Sequence, residues 1–143
     1  MPKKQLFESK IIIHADGGSR GNPGPAALGV VVGTREYGEY LGEKTNNQAE
    51  YRAVIFALKK IKQTIGKKKC KETEVEVRID SELIVKQLNC RYKILEPELQ
   101  PLFLEVWNSR IDFKKVEFVH VPREENRKAD SIVNQVLDRH ARS

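Results

Sequence analysis

KIIIHADGGSRGNPGP, residues Lys10–Pro25, changes character halfway along, and that change decides the fold. Lys10 to Asp16 is a short run rich in β-branched residues, the composition of a buried strand, and Gly17-Gly18 stops it. GGSRGNPGP then reads as a glycine-rich loop, which leaves Asp16 at the carboxyl end of the strand. Working outward, Ala26–Gly33 (AALGVVVG) and Glu36–Lys44 (EYGEYLGEK) read as two further strands joined near Gly33-Thr34-Arg35. Their short, turn-bounded spacing makes the opening third an antiparallel meander.

An amphipathic helix is predicted from about Asn47 to Ile65, ended by Gly66 and the lysine run Lys67–Lys69. Val75, Val77 and Ile79 alternate with Glu74, Glu76 and Arg78, a fourth strand that closes at Asp80-Ser81, where a short helix to Leu88 begins. Asn89–Glu96 reads as a loop and Pro97–Ser109 as a helix with proline in its first turn. Val116–Val121 is a fifth strand, and the last helix carries Ala129, Ile132, Val133, Val136 and Leu137 as its apolar stripe. A meander followed by βα units predicts an α/β fold: one five-stranded mixed sheet, meander plus parallel strands, with helices on both faces.

The 143 residues fit one domain, 1–143, with 1–9 read as a flexible N-terminal segment. A charged share of 32% beside 39% hydrophobic residues is that of a soluble globular chain and excludes disordered and membrane classes. Ile11-Ile12-Ile13 is far too short for a signal-peptide core or a spanning helix. Cys70 and Cys90 match no metal-ligand or CxxC spacing and read as reduced thiols, so the cytoplasm is the expected compartment. A net charge of +6 favours a polyanionic partner through phosphate contacts.

Four acids stand out. Asp16 and Asp80 both end strands, where open α/β sheets place their working crevice. Each has a plainer explanation: Asp16 as a turn cap, Asp80 as the N-cap of the helix starting at Ser81. Glu50 leads the apolar face formed by Val54, Ala57, Leu58 and Ile61, and a carboxylate entering a core is costly unless paired, hydrogen-bonded or metal-bound. Its rival explanation is a capping box with Asn47 as N-cap. Asp130 sits at the edge of the last helix's stripe, with a solvated helical charge as the alternative. Together, four carboxylates in one crevice require cations, and oxygen-only ligands suit Mg²⁺ or Mn²⁺ rather than zinc. Two such ions about 3.5–4 Å apart clamp the attacking and leaving oxygens of an in-line phosphoryl displacement. No P-loop or GxSxG pattern competes.

DGGSRGNPGP at Asp16–Pro25, TNNQAE at Thr45–Glu50, DSEL at Asp80–Leu83 and ENRKAD at Glu125–Asp130 resemble, in order, the four signature segments of type 1 ribonuclease H. QLNCRYK at Gln87–Lys93 and HVPREEN at His120–Asn126 resemble its short bacterial and archaeal members. The resemblance implies a ribonuclease H-like fold and two-metal hydrolysis of the RNA strand of RNA–DNA hybrids, leaving 3′-hydroxyl and 5′-phosphate ends. It implies catalytic and metal-binding roles for Asp16, Glu50, Asp80 and Asp130, with Asp16 touching both ions, Glu50 and Asp80 holding the ion near the attacking water, and Asp130 completing the other. The chain departs from members that carry a mobile-loop histidine shortly before the last aspartate: its loop is short, and His120, ending the fifth strand, reads as structural, with a catalytic role as the alternative that its ten-residue separation from Asp130 leaves open. His14, inside strand one, reads as a satisfied core histidine.

Hybrid recognition needs backbone amides and small polar groups in a minor groove, so Gly17, Gly18, Asn22, Asn46, Asn47 and Gln48 are the candidate substrate contacts. Asn22-Pro23-Gly24 as an ordinary turn and Asn47 as an N-cap are the competing explanations. Lys59, Lys60, Lys62 and Lys67–Lys69 read as a solvated helix end, with contacts to phosphates of the DNA strand as the alternative, and Trp107 reads as core. The expected protein is a monomer acting away from membranes. Two other readings stand beside the nuclease: a non-cleaving nucleic-acid-binding module on the same scaffold, and a relaxed nuclease that also cuts double-stranded RNA.

Overall fold

The computed structural model describes residues 10–142, so the N-terminal segment 1–9 lies outside the described residues. Three strands come first among the described residues: β1 (Lys10–Ser19), β2 (Gly24–Val32) and β3 (Arg35–Lys44). They form the expected meander, with β1–β2 and β2–β3 antiparallel. β1 runs on past Asp16, because Gly17, Gly18 and Ser19 pair with Leu28, Ala27 and Ala26 of β2. The two glycines therefore belong to a strand and not to a loop. Gly17 shows why: a Cβ there would strike the backbone of Ala49 and Glu50, so the missing side chain lets a helix lie directly on the strand.

That helix, α1 (Asn46–Ile65), is started by Thr45. The Thr45 Oγ1 accepts the Gln48 N–H at 3.1 Å and the Gln48 Oε1 accepts the Thr45 N–H at 2.8 Å, a reciprocal capping box. Asn47 is not the N-cap, since it already lies inside the first turn. The lysine run forms a further helical turn, α2 (Lys67–Cys70), whose only buried residue is Cys70. In β4 (Glu74–Ile79) Val75, Val77 and Ile79 are buried in strict alternation. Ser81 caps α3 (Glu82–Leu88), its side chain accepting the Ile84 N–H.

α4 spans Gln100–Ile111 rather than Pro97–Ser109. The later start follows from the second proline. Pro101 has no N–H, and in a helix begun at Pro97 it would fall past the first turn, where the donor is needed. Begun at Gln100, the helix puts Pro101 where no intrahelical donor is required. β5 (Lys115–His120) leads through a 3₁₀ turn, Arg123–Glu125, into α5 (Arg127–Arg142).

The sheet order is β3-β2-β1-β4-β5, with β4 parallel to both β1 and β5. One face carries the main core, in which Ile13, Val30 and Val77 of the sheet meet Tyr51 and Leu58 of α1, Ile84 of α3 and Val106 of α4. On the other face α5 buries Ala129, Ile132, Val133, Val136 and Leu137 against Ala27 and Val31. Gly29 and Gly38 are cross-strand partners beneath α5. A Cβ on Gly29 would run into the Ala129 carbonyl, and one on Gly38 would press on Ile132 and Val136. Trp107 is not core: it is half-buried on α4, stacked on Phe103, with the Arg110 guanidinium 4.1 Å from its ring centre. Both cysteines are free, Cys70 buried and Cys90 exposed.

Candidate active site

Parallel pairing of β1 with β4 (Ile13 with Val77, His14 with Arg78) brings the carboxyl ends of both strands to one edge. Asp16 and Asp80 sit at that edge. The close seat of α1 on Gly17 sets Glu50 over them. One carboxylate oxygen from each of Asp16, Glu50 and Asp80 lies within 4.8 Å of the others. Both capping alternatives are removed by the geometry, because Thr45 and Ser81 do the capping and leave Glu50 and Asp80 to face the cleft. Asp130, in the first turn of α5, lines the same cleft, and its charge bears on Asp16. It stands outside the three-carboxylate cluster.

The electrostatics follow from this crowding. Asp16 is 8% exposed, and burial, then the charges of Asp80, Asp130 and Glu50, push its carboxyl up to about 8. Glu50 also rises to about 8, through burial and then Asp80, with the Arg123 guanidinium pulling the other way. Asp80 is raised, again by burial first, against the opposing pull of Arg123 and, more weakly, of His120. At neutral pH the bare cluster therefore holds protons. A hard divalent cation satisfies such a set: its donors are oxygens only, they converge within one coordination sphere, and its charge replaces the protons.

The predicted substrate contacts divide into two groups. Gly17, Gly18 and Asn46 line the cleft of about 160 Å³. Asn22, Asn47 and Gln48 do not, and two of these have other work. The Asn22 Oδ1 accepts the Asn46 N–H at 3.0 Å, and Gln48 closes the capping box. Asn46 in turn accepts the Ser19 N–H at 2.9 Å, so the turn after β1 is stitched to the first turn of α1.

Three residues of the site escaped sequence reasoning. Arg123 lines the cleft opposite the acids, and it was hidden in what looks like a solvated charge run. Its one signal is its place just past Pro122, where β5 has ended. Arg20 reaches the cleft from the turn after β1. Asn126 is 1% exposed, donating its Nδ2–H to the Ala15 carbonyl at 2.9 Å while its Oδ1 lies 3.0 Å from His14 Nδ1. Its own carbonyl accepts the Asp130 N–H at 3.1 Å. One buried amide thus ties β1 beside Asp16 to the helix turn that carries Asp130. The signal available was a lone asparagine before a helix, the residue type that caps. His14 is half-buried and has this partner, whereas His120 is exposed and acts on Asp80 through charge rather than packing.

A mixed sheet ordered 3-2-1-4-5, with acids clustered where its neighbouring strands β1 and β4 stop pairing, defines a ribonuclease H-like protein. Residues 14–136 match the family described as reverse transcriptase-like. A bifunctional protein of Mycobacterium tuberculosis is 38% identical over 141 residues, covering 94% of this chain and 37% of its own. Ribonuclease HI of Halobacterium salinarum is 38% identical over 134 residues, covering 88% of this chain and 64% of its own. The chain thus spans about a third to two thirds of the length of these relatives. LC11-RNase H1, isolated from compost, superposes with a TM-score of 0.87 at 44% identity, covering 93% of this chain and 99% of its own. Its structure in complex with an RNA/DNA hybrid gives 0.85 at 43%, covering 92% and 99%. The chain belongs to the type 1 ribonuclease H family.

Proposed function

We propose that the protein is an endoribonuclease that hydrolyses the RNA strand of RNA–DNA hybrids with two divalent ions, Mg²⁺ or Mn²⁺, leaving 3′-hydroxyl and 5′-phosphate ends. The observation that carries this is the convergence of Asp16, Glu50 and Asp80 within 4.8 Å at one strand edge. Support comes also from the compost relative, whose structure holds an RNA/DNA hybrid. Bound divalent ions would supply Lewis-acid stabilisation of the attacking and leaving oxygens of an in-line displacement. Asp16, Glu50, Asp80 and Asp130 are the residues to hold them, Asp16 being central because the other three all act on its charge. Arg123 offsets negative charge at Glu50 and Asp80. Gly17, Gly18 and Asn46 offer the nucleic acid a small, polar wall through which backbone and amide groups read 2′-hydroxyls. Asn22 and Gln48 act indirectly, by fixing that wall.

The test is a gel assay of a hybrid, a DNA duplex and an RNA duplex, each with and without Mg²⁺ or Mn²⁺. Metal-dependent cutting of the hybrid alone is expected, and cutting of the RNA duplex would mark a relaxed enzyme. Asp80→Asn keeps the fold and loses about two to three orders of magnitude in rate, the scale on which removal of transition-state charge stabilisation acts. Hybrid cut by that variant at the wild-type rate would refute the assignment.

A further inference from the structure

Resting on the hybrid-nuclease reading, we infer that Arg20 is a phosphate-binding arm of the cleft, held in reserve by Asp138 until nucleic acid arrives. Among the described residues that line the cleft, the cations are Arg20 and Arg123. They are placed differently. Arg123 lies near enough to Glu50 and Asp80 for its charge to pull against the rise of both carboxyls. The Arg20 guanidinium points instead to α5, where its Nη2 donates to the Asp138 Oδ1 at 2.7 Å and reaches the Asn134 Oδ1 at 3.5 Å. Both members of the ion pair are about half exposed, at 44% and 52%. Water screens such a pair, so exchanging the Asp138 carboxylate for a phosphate oxygen costs little.

The main chain at Arg20 is, by contrast, fixed. Its N–H donates to the Pro25 carbonyl at 2.8 Å, and Ser19 and Asn22 on either side are bonded to Asn46 at the head of α1. α1 also carries Glu50, so the root of Arg20 keeps register with the carboxylates while its side chain is held only by the exposed contacts to α5. A strand with one phosphodiester at the acids presents further phosphates a nucleotide away on each side. A planar guanidinium matches two oxygens of one of them. A polyanion approaching an acidic cluster needs such a cation beside it, and Arg20 is in place to provide it.

The two partners are expected to act in opposite directions. Asp138→Asn releases the arm and lowers KM for hybrid about two- to fivefold, the range in which exposed ion pairs act. Arg20→Ala raises KM about three- to tenfold and makes the dependence of log kcat/KM on log salt shallower by about one. Arg20→Lys recovers part of the loss, and the double variant behaves as Arg20→Ala. Single neutral methylphosphonate linkages, walked along the DNA strand and separately along the RNA strand, locate the phosphate. The linkage that weakens wild type but not Arg20→Ala is the one held. If the pair were only a strap between the turn and α5, both single variants would lower Tm together and leave KM alone. That result, KM shifts of the same sign, or a walk with no such linkage would overturn the inference. Wild type assayed alongside separates the two levels: hybrid left uncut refutes the nuclease reading and the arm with it, whereas normal cutting by both wild type and Arg20→Ala refutes the arm alone.

Discussion

Asp16 is squeezed by its own burial and by three other acids, and this makes the metal-free protein sensitive to pH. Its folded pKa, like that of Glu50, lies near 8, well above the ordinary 3.8 and 4.5 of the two groups. Between those limits the folded state binds protons that the unfolded state has released, so stability falls as pH rises and levels off above about 8. Thermal melts in chelator should therefore show Tm declining from pH 5 to 8, and Asp16→Asn, which has no charge to bury, should flatten the slope while abolishing activity. A wild-type Tm that rises over this range would contradict the account. The same residue shows what a sequence makes legible. Asp16, Glu50 and Asp80 announce themselves because an apolar run stops at Asp16, a strand's alternation stops before Asp80, and an apolar helix face begins at Glu50. Arg123 and Arg20 do not, because a cation's use depends on what lies opposite it in space: Arg20 meets Asp138, and Arg123 acts on Glu50 and Asp80, all remote from them in the chain.

At the scale of elements, the site depends on how closely two helices approach the sheet. Gly17 and Gly29 make those approaches, beneath α1 and α5 respectively. An alanine at Gly29 would meet the Ala129 carbonyl, which is backbone and cannot step aside, so α5 must shift and take Asp130 with it. Gly29→Ala should cost about 1–3 kcal/mol, the range for overpacking, and reduce cleavage more than the unfolded fraction explains. Gly18→Ala is the comparison, since its Cβ would sit in ordinary contact, 3.4 Å from the Val133 Cγ1. Urea melts of both should separate them, and equal losses would show that the close approach does not set the helix. Element order and the buried stripe of α5 could be read from hydrophobic periodicity alone. The start of α4 and the length of β1 could not, because the first depends on a donor missing at Pro101 and the second on pairing with β2. Gly17, which reads in sequence as the start of a glycine-rich loop, is a spacer for packing within β1.

Across the whole molecule, proton and metal compete for one set of oxygens, and that competition links folding to activity. Divalent ions need deprotonated ligands, so at pH 6 binding must displace protons from Asp16 and Glu50, and apparent affinity rises with pH until both are ionised near 8. A ligand that binds only the folded state stabilises it by about 2.7 kcal/mol at a hundredfold excess over Kd. The melting temperatures with and without Mn²⁺ or Mg²⁺ should consequently diverge as pH rises. The metal-free curve falls because charge is being buried, and the metal-bound curve holds because the ions neutralise that charge. Asp80→Asn should narrow the gap at every pH, and chelator should close it in the wild type. Scanning calorimetry at pH 6, 7 and 8 in 5 mM metal or chelator, roughly the range where weak carboxylate sites fill, measures the divergence directly. A constant gap would mean that the cluster titrates independently of the ions, and the site would then not be the place where they bind.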